Sequence, residues 1–71
     1  MSKRFLQNIG KNIKNLRKDK KLSQEKFGEL IGLSRNSIGM IERAEVNIHV
    51  LTLYKIAKAL EVEPYELLKF D

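Results

Sequence analysis

The sequence predicts an all-α fold of five short helices, and three observations predict it. Apolar residues recur at spacings of three and four rather than alternating, which is the period of a half-buried helix and not of a strand. The 71 residues hold one proline and four glycines, so little interrupts that spacing. Ser23 and Ser34 each precede an apolar pattern, where a hydroxyl accepts a hydrogen bond from a free N–H of a first helical turn.

The first helix is marked by Phe5, Ile9, Ile13 and Leu16, spaced by four, four and three residues, and ends near Lys20. Residues 1–4 read as a frayed start, with Phe5 the first residue tied down, and Gly10 weakens the helix slightly. Lys18, Lys20 and Lys21 fall in its last turn, where cations meet the negative end of the helix dipole. The second helix opens at Ser23 and places Phe27, Leu30 and Ile31 on one face. Gly32 stops it, because a residue without Cβ enters the left-handed conformation cheaply, and Leu33 plugs inward at the corner.

Ser34 caps a third helix whose inward edge is only Ile38 and Ile41. A helix buried so narrowly offers its other sides to a partner. AEVNIH after Arg43 has mixed polarity and no period, and reads as a loop. The fourth helix runs from about Val50 to Leu60 on a core stripe of Val50, Leu53, Tyr54, Ala57 and Leu60, with Ile56 beside it. Pro64 opens the fifth, at a position where its missing N–H costs nothing. Leu51, off the stripe, and Tyr65, Leu67, Leu68 and Phe70 supply more apolar surface than a short helix buries inward. That surplus points to a self-complementary two-fold seam built on Leu51, Tyr65, Leu68 and Phe70, so that residues from about 50 to 71 form a homodimer interface.

Composition narrows the function. Residues 1–71 are expected to form one domain, small enough that its own core gives marginal stability. With no cysteine there is neither a disulfide framework nor a thiolate metal site, which suits a cytoplasmic location. No apolar run approaches the roughly 20 residues of a membrane span, and no secretory signal is seen at the start, so no membrane partner is expected. The net charge of +5 is uneven: residues 1–21 hold eight Lys or Arg against one Asp, and the remainder holds six against eight acids. A basic patch of this kind attracts polyanions by releasing their counterions. An enzyme is not expected. His49 is the only histidine and has no cysteine or histidine partner, no nucleophile–base set is suggested by the spacing, and neither metal nor cofactor is called for. Glu61, Glu63 and Glu66 read as a solvated face.

Helix, glycine-containing turn and helix over about 23–43 form the pattern of a helix-turn-helix, whose second helix enters the major groove of DNA. The run LSQEKFGELIGLSRNSIGMIER, followed by LYKIAKALEVEPYELL, resembles the Cro and phage-repressor (Xre) family of helix-turn-helix domains over roughly Ile9–Leu68. Arg17, Gln24, Gly32, Ser34, Ile38, Glu42, Arg43 and the IAKAL run carry the likeness. It implies a compact five-helix repressor-like domain that binds double-stranded DNA.

The resemblance also assigns residues. Arg17 and Glu42 stand where the family forms a largely buried ion pair locking the first helix to the recognition helix. Gln24 stands at a phosphate-clamping position. Arg35, Asn36, Ser37 and Met40 occupy positions facing bases or the adjoining backbone. Ser34 and Arg43 are placed to reach phosphates at the two helix ends, and Asn47 sits in a loop that often reaches the DNA backbone. Arg offers two donors to guanine O6 and N7, and Asn pairs with adenine N6 and N7. Met40 offers apolar contact alone. Glu25 and Glu29 share one face, as does the acidic pair with which activating phage repressors contact RNA polymerase. Two departures are Ala44, where the family usually has Gly, and Ile48, where it usually has Pro. A left-handed Ala44 would carry a steric cost of about 1 kcal/mol or more.

Among relatives the chain looks most like the controller proteins of restriction-modification systems, which act as homodimers on pseudo-palindromic operators. Phage repressors and antitoxin-type regulators share every motif cited. A protein- or RNA-interaction module on the same fold is the alternative of another class.

Overall fold

The computed structural model describes residues 2–70, which form four α-helices: α1 (Ser2–Asp19), α2 (Gln24–Ile31), α3 (Arg35–Glu42) and α4 (Val50–Leu60). No strand occurs among the described residues. The fold is all-helical as the periodicity predicts, but it has four α-helices and not five. The expected fifth is a 3-10 segment, Pro64–Leu68, closed by a reciprocal capping box between Glu63 and Glu66. Five residues opening on a proline cannot sustain an i→i−4 ladder, and the tighter 3-10 turn suits so short a piece. Its one buried side chain is Leu67.

The first helix also starts earlier than the pattern indicates. α1 begins at Ser2, so the frayed start does not hold for residues 2–4, while Met1 lies outside the described residues. Lys3, Arg4 and Leu6 are good helix formers and need no core contact to extend the helix by a turn. Phe5 remains half exposed and meets Phe70 edge-on, ring centroids 5.4 Å apart.

Ile9 and Ile13 of α1, Phe27 of α2, Ile38 and Ile41 of α3, Ile56, Ala57 and Leu60 of α4 and Leu67 make one core. Three expected inward residues face water instead: Leu30 (59% exposed), Val50 (80%) and Tyr54 (50%). On α4 the buried stripe turns toward Ile56, giving Leu53, Ile56, Ala57 and Leu60 at i, i+3, i+4 and i+7. On α2 the short helix is seated on Phe27 and Gly28 with Ile31 half buried, which leaves Leu30 outside.

Each helix ends in the same way. A residue with φ near +60 to +78° follows it (Lys21, Gly32, Ala44, Glu61), and the next N–H reaches back to a carbonyl five residues earlier. These bonds run from Leu22 to Arg17, Leu33 to Gly28, Glu45 to Met40 and Val62 to Ala57. They satisfy carbonyls that a helix end otherwise leaves open. The tail is tied back to α1 by Asn12, whose amide nitrogen donates to the carbonyls of Leu67 and Lys69, both at 2.9 Å. No described helix is long and apolar enough to cross a membrane.

Candidate nucleic-acid interface

Three helices are held in register by one carboxylate. Glu42 Oε2 accepts from Arg17 Nε at 2.6 Å, and Oε1 accepts from Arg17 Nη2 and from Gln24 Nε2, each at 3.1 Å. Arg17 Nη1 donates to the Leu22 carbonyl at 2.7 Å. Both charged residues are buried, 6% and 9% exposed. The fork geometry gives orientation as well as attraction, so α3 is fixed against α1 and α2 by the pair the sequence anticipates. The sequence reading missed the third member. Gln24, expected at a phosphate, spends one amide N–H on Glu42 and keeps one free.

The turn into α3 is equally constrained. Ser23 accepts from Lys26 N–H and Ser34 from Ser37 N–H, each at 3.0 Å, so both serines cap as expected. The Ser34 hydroxyl also donates to Ser37 Oγ at 3.0 Å. Its own proton is thereby occupied, and the Ser37 hydroxyl becomes the free donor of the pair.

α3 buries Ile38, Ile41 and Glu42 and turns Asn36, Met40 and Arg43 outward, at i, i+4 and i+7. Asn36 and Arg43 are exposed and Met40 is half covered; the Asn36 amide leans along the helix to Met40 Sδ at 3.8 Å. Arg35, exposed, stands at the helix start. At the other end Arg43 donates from Nε and Nη2 to the two Glu45 carboxylate oxygens, at 2.8 and 3.3 Å. That hydrogen bond and the paired charge hold the Glu45 carboxyl below its usual range and raise the Arg43 guanidinium. Exposed Asn47 joins Leu33, Ser37 and Met40 around a shallow cavity of about 190 Å³ between the end of α3 and the start of α4. The structure therefore places Asn36, Met40 and Arg43 along one stripe of α3, with Ser37 and Asn47 around the cavity beside Met40 and with Ser34 and Arg35 at the helix start.

The other expected groups lie on other elements. Glu25 and Glu29 are exposed on α2, and Glu29 stands 3.6 Å from Lys26. Leu51 (74%), Tyr65 (63%), Leu68 and Phe70 are all substantially exposed, with Val50 beside Leu51. His49 precedes α4 and makes no side-chain capping bond. No group of three or more potential metal ligands occurs among the described residues. Residues that the sequence reading passed over are Glu45, which faces Arg43, and Asn12, which holds the tail.

Residues 13–67 match the helix-turn-helix family HTH_3. The chain belongs to that family. As an HTH_3 domain it is a DNA-binding regulator, in keeping with the outward polar face of α3. It is 40% identical over 60 residues to control protein C.SmaI of Serratia marcescens, covering 84% of this chain and 71% of that one. Its structure resembles the restriction-modification controller protein C.AhdI from Aeromonas hydrophila, with a TM-score of 0.84 and 40% identity over 87% of this chain and 90% of the other. It also resembles the P22 c2 repressor protein solved with a synthetic operator, with a TM-score of 0.81 and 35% identity over 89% of this chain and 96% of the other.

Proposed function

We propose that this HTH_3 chain is a sequence-specific transcriptional regulator that binds a pseudo-palindromic operator as a homodimer, in the manner of a restriction-modification controller. The observation that carries the reading is the outward face of α3: capped by Ser34, fixed from behind by Arg17 and Glu42, and lined with side chains that match base edges. The similarity to C.SmaI and C.AhdI supports the controller assignment. The likeness to an operator-bound repressor supports insertion of α3 into the major groove and keeps a phage-type repressor as the second reading.

In this reading Arg35 and Asn36 specify bases, Met40 adds apolar contact such as a thymine methyl, and Ser37, Ser34, Gln24 and Asn47 position the duplex. Gln24 retains the free amide N–H this needs. Leu51, Tyr65, Leu68 and Phe70 form the dimer seam, which places half-sites about one helical turn, ~34 Å, apart. Glu25 and Glu29 are the surface offered to RNA polymerase; charge reversal there should abolish activation in vitro while leaving DNA binding intact.

Binding to a panel of operator variants tests the reading. Arg35→Ala should lose discrimination at a guanine, on the order of 1–3 kcal/mol, whereas Gln24→Ala should weaken all sequences by a similar factor. Unchanged affinity and base preference in Arg35→Ala would overturn it.

A further inference from the structure

The sequence places Arg43 at a phosphate, at the far end of the recognition helix. In the structure its guanidinium lies back from that end. The side chain folds back along α3 and lies over Gly39: a Cβ built on that glycine would stand 2.8 Å from Nη1 and 3.5 Å from Cζ. The head group is thus carried one turn toward the middle of the helix, on the same stripe as Asn36 and Met40.

Glu45 holds it there. After α1, α2 and α4, the residue following the left-handed position is Leu22, Leu33 or Val62, each packed against the core. An apolar contact at that point is the usual companion of this helix end. After α3 the same position carries Glu45, and its carboxylate turns to Arg43 Nε and Nη2. The left-handed Ala44 between them brings the two side chains alongside each other. An exposed ion pair of this kind contributes little to stability, and an unmatched acid beside this face would repel a polyanion. Its useful effect is on the geometry of Arg43.

A guanidinium has five N–H donors. Glu45 takes the Nε edge and one hydrogen of Nη2, leaving both hydrogens of Nη1 and one of Nη2. The Nη1–Nη2 end is a parallel fork, the shape that matches the O6 and N7 acceptors of guanine.

We propose that Arg43, seated on Gly39 and buttressed by Glu45, reads a guanine edge in the major groove, making Arg43 a second specificity-determining residue beside Arg35 and Glu45 its positioning residue. This rests on the DNA-binding role of α3 and names what one of its residues recognises.

Selection from a random duplex library, followed by affinity measurements on single-base variants of the enriched site, tests it. The parent protein should show two independent guanine preferences per half-site. Arg43→Ala should erase one of them, on the order of tenfold or more, and Arg35→Ala the other. Arg43→Lys should not restore the lost preference, because an ammonium lacks the fork. Glu45→Gln and Gly39→Ala, each at an exposed pair or against a flexible head group, should weaken that same preference and no other. A uniform loss of affinity in Arg43→Ala, with base preferences kept, would make it a phosphate contact and overturn the assignment. So would a Glu45→Gln protein that binds every sequence more tightly with unchanged preference, since Glu45 would then be a restraint. If preferences respond to Arg35→Ala alone, only the Arg43 assignment fails; if the parent enriches no sequence at all, the reading role of α3 fails with it.

Discussion

Glu42 accepts three side-chain hydrogen bonds from two helices, and its replacement is the most damaging single change we expect. Glu42→Ala strands the Arg17 guanidinium in a buried site, at a cost of about 3–5 kcal/mol. A domain of this size has a total stability of that order, so circular dichroism should find the variant largely unfolded at room temperature. Pairing Arg17→Met with Glu42→Leu removes both charges and should recover most of the loss. A second prediction concerns Glu45. The hydrogen bond from Arg43 is the main cause of its lowered pKa, with the Arg43 and Lys3 charges adding to it against burial. The folded-state value lies below the unfolded one. Whatever stability the contact contributes is therefore present above the unfolded pKa and lost as pH falls through the folded pKa. Carboxyl-resolved NMR titration should give Glu45 a midpoint below the ordinary glutamate value, and Arg43→Ala should move it back up.

At the scale of the helix, three of the four ends place an L-residue in the left-handed region: Lys21, Ala44 and Glu61. Lys21 and Glu61 are exposed, so glycine there would relieve backbone strain with little loss of packing. Lys21→Gly should stabilise the fold by roughly 0.5–1 kcal/mol, after the entropy cost of glycine is set against the relief, and Glu61→Gly by less, because it also removes the exposed ion pair with Lys20. In a domain this small that is a rise of several degrees in Tm. Ala44 is different, because its methyl is buried and glycine would forfeit that contact. The end at Gly32 was legible from the sequence because glycine advertises a positive φ, whereas a lysine or glutamate at the same point carries no such sign. What decides those ends is tertiary: Leu22 and Val62, one residue on, pack against the core. Gly10 has a second role that only the packing shows. It reads as a weak spot in α1, yet a Cβ there would stand 2.5 Å from the Glu42 carbonyl oxygen, so its smallness lets α1 cross α3 closely. Periodicity gave the existence and order of the helices and most of the core. It could not assign Val50, Tyr54 and Leu30, because a short amphipathic helix with apolar residues on several sides has no unique inward face until its neighbours are placed. The outward exposure of α3 was legible from its narrow buried edge, while the contact of Glu45 with Arg43 needed the turn at Ala44 in three dimensions.

For the whole molecule, five large apolar side chains of α4 and the tail are exposed: Val50, Leu51, Tyr65, Leu68 and Phe70. Were they a dimer seam, a charge placed in it would be buried against its own symmetry mate, and like charges so juxtaposed oppose association. Leu51→Glu and Leu68→Glu should therefore sediment as monomers at concentrations where the parent is dimeric. Their far-ultraviolet dichroism should be unchanged, because neither side chain belongs to the core. The consequence for DNA is separable from fold. A dimer engages two half-sites as one linked event, and a monomer loses the effective concentration that the first contact gives the second. It also neutralises about half the phosphates, so the slope of log K against log salt should fall to roughly half the parent value. A monomeric variant that kept the full salt slope and operator affinity would mean that each copy reads its site alone. A Leu51→Glu protein that remained dimeric would place the seam on another face.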